Sequence, residues 1–376
     1  MSGPDAPPTI PLADPAADQA PLVEALAAAA DRVIRSGCYI LGPEVTAFEH
    51  ELAAACGVPH AVGVSSGTDA LLAMLAAAGV GPGDEVVTSP FSFFATAGAI
   101  VRAGSRPVFA DVDPATLNLD PAAAIAKLGT RTKAVLVVHI FGRLAPLGAL
   151  RAACAGRGIA LLEDAAQAIG ATGADGLRVG TGTRAAALSF FPTKNLGALG
   201  DGGAVLTEDA AFAAAIRRLR IHGAERKNHH VDVGGNFRLD ALQAALLRVK
   251  LPHLPAWTAA RRGAAARYRA GLRDTNLVLP PEDPGCVWNQ FVVRVSGERR
   301  DRLAADLARA GITTEVYYPT PLHLQPALRA LGHAPGDLPA AERACAEVLA
   351  LPLHPSLTDT AIDRVVDCVR QSLAAR

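Results

Sequence analysis

The feature that most constrains the fold of this 376-residue chain is a series of short valine-rich apolar runs separated by alanine- and leucine-rich stretches. Seven such runs occupy residues 60–64, 84–89, 106–111, 133–140, 158–164, 184–190 and 203–208. Strands without polar alternation belong to sheets covered on both faces, and intervening helices produce parallel pairing. We therefore predict an α/β fold with a central, mostly parallel seven-stranded sheet.

The rest of the sequence predicts a division into three parts. A Pro- and Asp-rich stretch at 1–20 predicts an extended arm, and a helix follows over 21–35. Beyond the sheet region and a Pro-rich turn at 280–285, the pattern predicts a strand over 291–295 and a helix over 299–311. The predicted parts are an arm and helix (1–35), a large domain (36–255) and a small α+β domain (256–376).

Composition narrows the classes of partner. Lys+Arg and Asp+Glu number 36 each, so no basic excess attracts nucleic acid. Neither a signal-peptide pattern nor an apolar run of about 18 residues is present, which predicts a cytoplasmic protein without a membrane partner. The six cysteines are scattered, and the histidines lack metal-ligand spacing, so no metal site is expected.

Two charged residues are the candidates for chemistry. Asp164 ends the run 158–164, where a buried carboxylate requires donors or a cation. It could cap a helix, or it could face the protonated ring nitrogen of a ligand. Lys194 lies between an apolar strand and the glycine-rich loop that ends SFFPTKNLGALGDGG (189–203). A desolvated lysine loses its proton readily and attacks carbonyl groups.

Other residues predict a place for a flat, phosphorylated ligand. Gly67 and Thr68 open a helix after a strand, where free N–H groups favour an anion. Ser189 is a further phosphate donor, and Phe93 or Phe94 could stack on a ring, although such residues more often pack in a core. A phosphate site, a stacking ring, an acid and a lysine together meet the requirements of pyridoxal 5'-phosphate (PLP), with Lys194 as its Schiff-base partner.

The chain also resembles the sugar aminotransferases of the DegT/DnrJ/EryC1/StrS type along nearly its whole length. The matching segments lie at 36–53, 65–75, 81–87, 163–171, 189–209, 234–254 and 317–325. The resemblance implies the fold type I of PLP-dependent transferases, the aspartate-aminotransferase-like fold. Lys194 is retained, which argues against the branch of the family that has His at this position and dehydrates sugars.

The resemblance implies a role for each matching residue. Lys194 would bind PLP covalently and shuttle protons, while Asp164 would keep the pyridine nitrogen protonated. Gln167 would contact the phenolic oxygen of the cofactor, and Phe93 would stack on its ring. The phosphate would be held by residues of two subunits of a homodimer: Gly67, Thr68 and Ser189 of one, and Asn236 of the other.

The resemblance also implies a substrate class. The GDGG that follows the lysine and the helix at 238–250 are similar to enzymes that aminate C-3 of a dTDP- or UDP-linked keto sugar, with L-glutamate as donor and 2-oxoglutarate as its product. Amination at C-4, or of a cyclitol or carbocyclic ketone, stays open. The candidate substrate contacts are Tyr39, Tyr318 and His323.

Two positions depart from the family pattern. Ile169 replaces a His, which puts the packing near the cofactor in doubt. Asn228 replaces a frequent Tyr in a segment that often meets the nucleotide end of the substrate.

Two alternative functions remain: a sensor that keeps the fold without turnover, and a serine hydrolase in which Ser65 of the Gly63–Gly67 turn is the nucleophile.

Overall fold

The structure is a computed structural model that describes residues 8–296 and 299–374. The elements of its first two thirds are α1 (Pro15–Gln19), α2 (Val23–Ser36), α3 (Pro43–Cys56), β1 (His60–Val64), α4 (Gly67–Ala77), β2 (Glu85–Thr88), α5 (Ala95–Arg102), β3 (Arg106–Phe109), α6 (Pro121–Ala126), β4 (Thr132–Val138), α7 (Gly148–Cys154), β5 (Ala160–Asp164), β6 (Ala185–Ser189), β7 (Gly203–Thr207), α8 (Ala210–Leu219), β8 (Ala224–Arg226), β9 (His229–His230) and α9 (Ala241–Lys250). The remainder comprises α10 (Leu254–Leu272), β10 (Phe291–Arg294), α11 (Arg299–Arg309), α12 (Pro339–Glu347), β11 (Val348–Leu351) and α13 (Asp359–Ala374).

The predicted central sheet is confirmed. Its seven strands have the order β1-β7-β6-β5-β4-β2-β3. Strand β7 runs antiparallel to β1 and β6, and every other pairing is parallel. All seven valine-rich runs of the sequence form these strands, with boundaries that differ by a few residues. Such a sheet, with helices on both faces, confirms the predicted α/β class.

Burial on both faces explains why the strands lack polar alternation. On β4, Ala134 and Leu136 pack against α4, α5 and α8, whereas Val135 and Val137 pack against α6 and α7 on the opposite face. Helices α3 and α9 cover the far end of that second face, around β6 and β7. Removing apolar side chains from water on both faces is the main stabilising contribution to such a layered fold.

The C-terminal part has a smaller sheet of its own. Strands β10 and β11 pair antiparallel, and α10, α11 and α13 surround a second apolar cluster beside them. Helix α10 contributes Leu254 to the sheet-side cluster and Ala264 onward to the second cluster. The domain boundaries at 35 and 255 therefore stay a prediction.

The predicted extended arm is wrong for residues 15–19, which form helix α1. The Asp14 side chain accepts a hydrogen bond from the Ala17 N–H at 2.9 Å, and Pro15 occupies the first helical turn. An Asp cap followed by proline is a helix-start signal that outweighs the overall Pro content. Residues 1–7 of the predicted arm lie outside the described residues.

A buried ion pair joins the two helical layers at the β1 edge. Glu49 of α3 accepts hydrogen bonds from the Gly63 N–H of β1 at 2.9 Å and from the Arg220 guanidinium, which follows α8. Arg220 also donates to the Gly63 carbonyl at 2.8 Å. Since both side chains are buried, removal of either leaves an uncompensated charge.

We predict that Glu49→Ala lowers the free energy of unfolding by about 3–5 kcal/mol, because Arg220 stays buried without its carboxylate. Urea denaturation followed by circular dichroism measures this loss. The control is Glu51→Ala on the same helix, whose ion pair with Arg248 is partly exposed and is worth about 1 kcal/mol or less. Equal losses in the two variants would contradict the prediction.

Candidate active site

The carboxyl ends of β4, β5 and β6 meet at one edge of the sheet, where they begin a cleft. Asp164 ends β5, Ser189 ends β6 and His139 follows β4. Together with the turns after β1 and β2, they line a cavity of about 370 Å³, which is within the usual size range of small-ligand sites. Parallel sheets bind ligands at this edge because successive loops converge there.

The Asp164 carboxylate is buried and accepts hydrogen bonds from a hydroxyl group and a backbone N–H. The Thr96 hydroxyl donates to Asp164 Oδ2 at 2.7 Å, and the Ala166 N–H donates to Oδ1 at 3.3 Å. Because the Thr96 proton is used in this bond, the Ser92 hydroxyl, 2.7 Å from Thr96 Oγ1, donates to Thr96. Burial raises the pKa of Asp164, while these donors and the nearby Lys194 charge oppose that rise.

Lys194 lies in the loop between β6 and β7 and shares the cleft with Asp164. Burial lowers the pKa of its amine to about 8, and the Asp164 carboxylate acts in the opposite direction. A much larger share of Lys194 is therefore neutral near pH 8 than of a surface lysine, whose pKa is about 10.4. A neutral amine is the form that attacks an aldehyde.

The first turn of α4 lies against Ser189. A Cβ atom at Gly67 would lie 2.7 Å from the Ser189 Cβ, so glycine is required for this close approach. The N-cap Ser66 accepts from the Asp69 N–H at 3.1 Å, whereas the N–H groups of Gly67 and Thr68 precede the first intrahelical bonds. These N–H groups and the Ser189 hydroxyl form a cradle for an anion.

Gln167 has a defined orientation in the cleft. Its Oε1 accepts from the Phe141 N–H at 2.6 Å, so the amide nitrogen is the group left to donate. That nitrogen lies 3.3 Å from the Tyr318 hydroxyl, and burial raises the pKa of this phenol. Tyr318 therefore stays protonated at neutral pH. It lines the cleft, and its contact with a substrate stays a prediction.

Phe93 lines the cleft with 61% of its surface exposed, whereas Phe94 lies outside the lining. The Phe93 ring centroid lies 6.4 Å from the Tyr318 ring centroid, and the two ring planes are tilted by 41°. An aromatic face left open beside a buried carboxylate and a lysine is available to a planar ligand. The alternative of core packing for Phe93 is therefore wrong.

His139 is a cleft residue that the sequence analysis missed. Its Nδ1 accepts from the Ala145 N–H at 3.1 Å, so the proton resides on Nε2 and is donated to Glu163 at 2.7 Å. Both side chains are fully buried, and Glu163 also accepts from Gly180 N–H at 3.1 Å. This pair links the end of β4 to β5, next to Asp164, which follows Glu163 in the sequence.

Segment 286–290 crosses between the Lys194 loop and the loop after β4. Its Asn289 N–H donates to the Phe141 carbonyl at 3.0 Å, and its Val287 N–H donates to the Gly142 carbonyl at 2.9 Å. Its Asn289 side chain also binds Asn195, the residue after Lys194. The loop after β4, whose Phe141 binds Gln167, and the loop that contains Lys194 are thus both tied to one segment of the C-terminal part.

Two predicted site residues, Asn236 and Tyr39, lie outside the cleft lining of this chain. Asn236 is exposed and lines a neighbouring cavity with Ser65 and Asp201. Tyr39 is exposed, and its hydroxyl donates to the Ile34 carbonyl at 3.1 Å. Asn236 and Tyr39 would therefore contact a cleft only if it belonged to a second subunit.

The structure does not support His323 as a substrate contact. The side chain is 1% exposed, packs near Phe109 and His333, and lies 3.1 Å from Glu342. The turn at 322–324 directs this imidazole into the apolar cluster beside α12 instead of the cleft. A histidine in a motif next to Tyr318 gives no sequence signal for this inward direction.

The two departures from the family pattern also have structural explanations. Ile169 packs in the sheet-side core and lines a cavity separate from the Lys194 cleft, so the doubt about packing at the cofactor is removed. Asn228 occupies the two-residue turn between β8 and β9 with φ 61°. Asn tolerates this left-handed conformation better than a bulky residue such as Tyr.

The serine-hydrolase alternative is wrong. The Ser65 hydroxyl donates to Asp69 at 2.6 Å, and no histidine hydrogen-bonds it among the described residues. Asp164 is occupied by Thr96 instead of an imidazole. The nucleophile, base and carboxylate of a triad are therefore not assembled.

Residues 8–296 and 299–374 contain neither a cluster of metal ligands nor a membrane-spanning helix. No group of three or more potential metal ligands from His, Cys, Asp and Glu occurs there. No helix in this part of the chain is long and apolar enough to cross a membrane.

The donor set fits PLP. The cradle that Gly67 forms against Ser189 suits its phosphate, and buried Asp164 suits its protonated ring nitrogen. The amide nitrogen of Gln167, which donates one of its two hydrogens to Tyr318, suits its phenolic oxygen with the other, and Lys194 suits its aldehyde. The site thus has the composition of a PLP-dependent aminotransferase of fold type I.

Comparison with known proteins identifies the family. The DegT/DnrJ/EryC1/StrS aminotransferase family matches residues 22–370, and the chain belongs to this family. The resemblance, the enzyme class and PLP as the cofactor, which the sequence predicted, are thereby confirmed.

Several curated relatives are similar over most of their length. The chain is 48% identical to the erythromycin biosynthesis sensory transduction protein EryC1 of Saccharopolyspora erythraea (89% of this chain, 92% of that protein). It is 44% identical to dTDP-3-amino-3,4,6-trideoxy-alpha-D-glucose transaminase of Streptomyces venezuelae (92% and 91%). It is 41% identical to UDP-2-acetamido-2-deoxy-3-oxo-D-glucuronate aminotransferase of Pseudomonas aeruginosa (93% and 96%).

Solved structures agree with this assignment. DesV of S. venezuelae, crystallised in complex with a ketimine intermediate, superimposes with a TM-score of 0.95 at 42% identity, over 98% of this chain and 100% of that chain. NtdA of Bacillus subtilis, with bound cofactor PMP, gives a TM-score of 0.91 at 30% identity, over 99% and 86%.

The lowered Lys194 pKa predicts a pH dependence for cofactor capture. In the cofactor-free chain, the rate of covalent PLP attachment should rise with pH through a midpoint near 8, because only the neutral amine reacts. Asp164→Asn should move this midpoint lower, since it removes the carboxylate that favours the charged amine.

Stopped-flow absorbance across pH measures both midpoints. The control is Asp201→Asn, because Asp201 lines the same cleft without contributing to the Lys194 shift, so the midpoint should stay in place. A midpoint near the ordinary lysine value, or an upward shift in Asp164→Asn, would refute the electrostatic account.

Proposed function

We propose that this chain transfers the amino group of L-glutamate to C-3 of a keto sugar linked to a nucleoside diphosphate, in deoxyamino-sugar biosynthesis. The observation that carries the proposal is the pairing of Lys194 with the buried Asp164 in one cleft. The two relatives named as sugar transaminases, one for a dTDP-linked and one for a UDP-linked sugar, support this substrate class.

Each half of the reaction requires a proton carrier over the cofactor. When bound, PLP supplies an aldehyde that condenses with amines and a ring that accepts electrons. Lys194 serves as the carrier, because a lowered pKa lets its Nζ accept and release a proton near neutral pH. Asp164, fixed by Thr96 and Ser92, holds its charge against the ring nitrogen.

The remaining residues orient the ligand. Gln167 would donate the second hydrogen of its amide nitrogen to the cofactor, and the exposed Phe93 ring would stack on the cofactor ring. The phosphate of the bound cofactor would be held at the α4 N-terminus by Gly67, Thr68 and Ser189. Tyr318, which is neutral because its phenol is buried, supplies a hydroxyl beside Gln167 for the substrate.

In a homodimer, Asn236 of the second subunit would complete the phosphate site. Asn236 faces solvent next to the Ser66 turn, in the cavity beside the cleft. Ile40 lines that cavity and is exposed in the single chain. Leu199, whose N–H donates to the cavity residue Gln243, and Leu242, which precedes Gln243 in the sequence, are exposed apolar residues as well. Covering them with a second copy removes apolar surface from water and brings Asn236 of one chain to the phosphate of the other.

The cysteines support a cytoplasmic location. All six are free thiols, which fits a reducing compartment.

We predict that the PLP-loaded chain shows a visible absorbance band that bleaches on addition of L-glutamate, with release of 2-oxoglutarate. The band should be missing in Lys194→Ala, because the covalent link is lost, and unchanged in Ser65→Ala. A band that ignores glutamate would contradict the donor assignment. A band with bleaching but without turnover of any keto-sugar nucleotide would instead favour a sensor.

Complementation between inactive variants tests the shared site. Lys194→Ala and Asn236→Ala should each be nearly inactive, and co-expression should restore about a quarter of the unaltered activity. Half of the random dimers are mixed, and each mixed dimer has one complete site of two. A mixture of Lys194→Ala with Asp164→Asn is the control and should restore nothing, because both changes affect the same chain's part of the site. Absence of rescue in the first mixture would refute sharing of the site.

A further inference from the structure

A cavity of about 450 Å³ lies between the end of α3 and the start of α10. We call it the α3–α10 cavity. Its walls are the last residues of α3, the turn at 169–172, residues 178–179, Pro284, and residues of the α9–α10 junction between 251 and 262. No described residue lines both this cavity and the Lys194 cleft, so the residues of the cleft do not account for it.

Every polar side chain in the wall of the α3–α10 cavity can donate a hydrogen bond. These side chains are Arg178, Arg262, Thr172, Thr258 and Cys56. Burial raises the pKa of Cys56 to about 12, so its thiol carries no charge at neutral pH. No carboxylate or carboxamide of a described residue lines the cavity. The cavity thus combines two positive charges with no negative charge, which is the composition of an anion site.

The Arg262 guanidinium is oriented by the backbone. Its Nε donates to the Cys286 carbonyl at 3.0 Å, whereas its Nη1 and Nη2 have no partner in the described part of the chain. The parallel N–H groups of a guanidinium match two oxygens of a carboxylate or a phosphate. Because one bond already orients this side chain, less conformational entropy is lost when an anion binds.

Arg178 brings the second charge to the cavity. Its Nη1 lies 3.2 Å from the position that a Cβ atom on Gly57, the residue after α3, would occupy. A cation near the C-terminus of a helix is favourable by itself. The Arg178 guanidinium nevertheless forms neither a hydrogen bond nor an ion pair with any described residue, so its N–H groups are available to a ligand.

Thr258 is a buried donor in the same wall. Only 9% of its surface is exposed, and its hydroxyl has no hydrogen-bond partner among the residues that the structure describes. The hydroxyl is not one of the unpaired polar atoms that lack accessible surface, so a molecule in the cavity can reach it. An unpaired hydroxyl in a cavity wall indicates that a ligand or water completes it.

The rest of the wall is apolar. It includes Ile169, Val179, Leu251 and Leu254, which also belong to the sheet-side core. An inorganic anion would leave this surface in contact with water, whereas an apolar group attached to the anion would cover it. The wall therefore favours an organic anion over an inorganic one.

We propose that the α3–α10 cavity is a second ligand site, which binds an organic anion with an apolar body. The anion, a carboxylate or a phosphate monoester, is bound by Arg178, Arg262 and Thr258, and the apolar body contacts Ile169 and Leu254. This site goes beyond the proposed function, because none of its residues lines the cleft and its ligand does not require a bound sugar.

The test uses three probes that share one photoreactive apolar body. Two are anions, 4-benzoylbenzoate and 4-benzoylphenyl phosphate, and 4-benzoylbenzamide is the uncharged control. Calorimetry measures their dissociation constants for the PLP-loaded protein, in which the cofactor occupies the phosphate cradle of the cleft. Illumination, digestion and mass spectrometry then identify the labelled peptide.

The variants Arg178→Gln and Arg262→Gln each remove one charge, and Ala55→Trp fills the cavity from an exposed position at the end of α3. The matched control is Arg102→Gln, since Arg102 is an exposed arginine of α5 that lines neither this cavity nor the cleft. All four residues are exposed, so we expect the variants to fold, which thermal unfolding followed by circular dichroism checks.

We expect each of the two arginine changes in the cavity to raise the dissociation constants of the anions by about 10-fold or more, the loss of a hydrogen bond to a charged group. Ala55→Trp should raise them at least as much through steric exclusion, whereas Arg102→Gln should change them by less than about 2-fold because a distant surface charge is screened. The amide should bind the unaltered protein about 10-fold more weakly than the anions. The label should lie on peptides that contain residues 169–179 or 251–262.

The outcomes separate this site from the proposed function. Tighter binding of either anion supports the site and identifies the head group that it prefers. An absence of saturable binding, equal affinity for the amide, unchanged affinity in Arg178→Gln and Arg262→Gln, or labels confined to cleft peptides would overturn the proposal. Failure of the unaltered protein to bleach with glutamate would instead overturn the proposed function and leave this site intact.

Discussion

The arrangement of the cleft depends on one buried carboxylate at the end of β5. Asp164 loses hydration in this position, and the hydroxyl of Thr96, itself bonded to Ser92, replaces part of it. Its negative charge also moderates the pKa of Lys194, which burial alone would lower further. A single group thus sets the protonation of the amine on one side and offers a counter-charge to a ring nitrogen on the other.

The surrounding framework explains how that carboxylate keeps its place. The buried His139 and Glu163 bind each other next to it and connect β4 with β5. Segment 286–290 then ties the loop after β4, whose Phe141 binds Gln167, and the loop of Lys194 to the C-terminal part through Asn289. Because these contacts are buried and directional, displacement of the C-terminal part would change the positions of the acid, the amide and the lysine together.

Much of this arrangement was predictable from the sequence, for identifiable reasons. The strands were predictable because burial on both faces leaves continuous apolar runs, as in β4 and β5. Asp164 and Lys194 were predictable because an ionisable residue at the end of such a strand, or in the glycine-rich loop after it, is costly without a function. The resemblance to a known family then suggested the partners of these two residues.

The parts that were not predictable depend on direction and distance. Thr96 and Ser92 are ordinary residues at the start of a helix, and only the fold brings them to Asp164, 68 positions away from Thr96. The sequence did not reveal the position of the His323 side chain, because a turn decides whether an imidazole faces a cleft or a core.

The most direct test of the central claim is to locate the lysine that binds the cofactor. The PLP-loaded protein would be reduced with borohydride, digested and analysed by mass spectrometry for the phosphopyridoxyl adduct. Modification of the peptide that contains Lys194, at close to one per chain and with no adduct in Lys194→Ala, is the result we predict. An adduct on Lys127, Lys133, Lys227 or Lys250, or no adduct after loading, would contradict the assignment of this cleft as the active site.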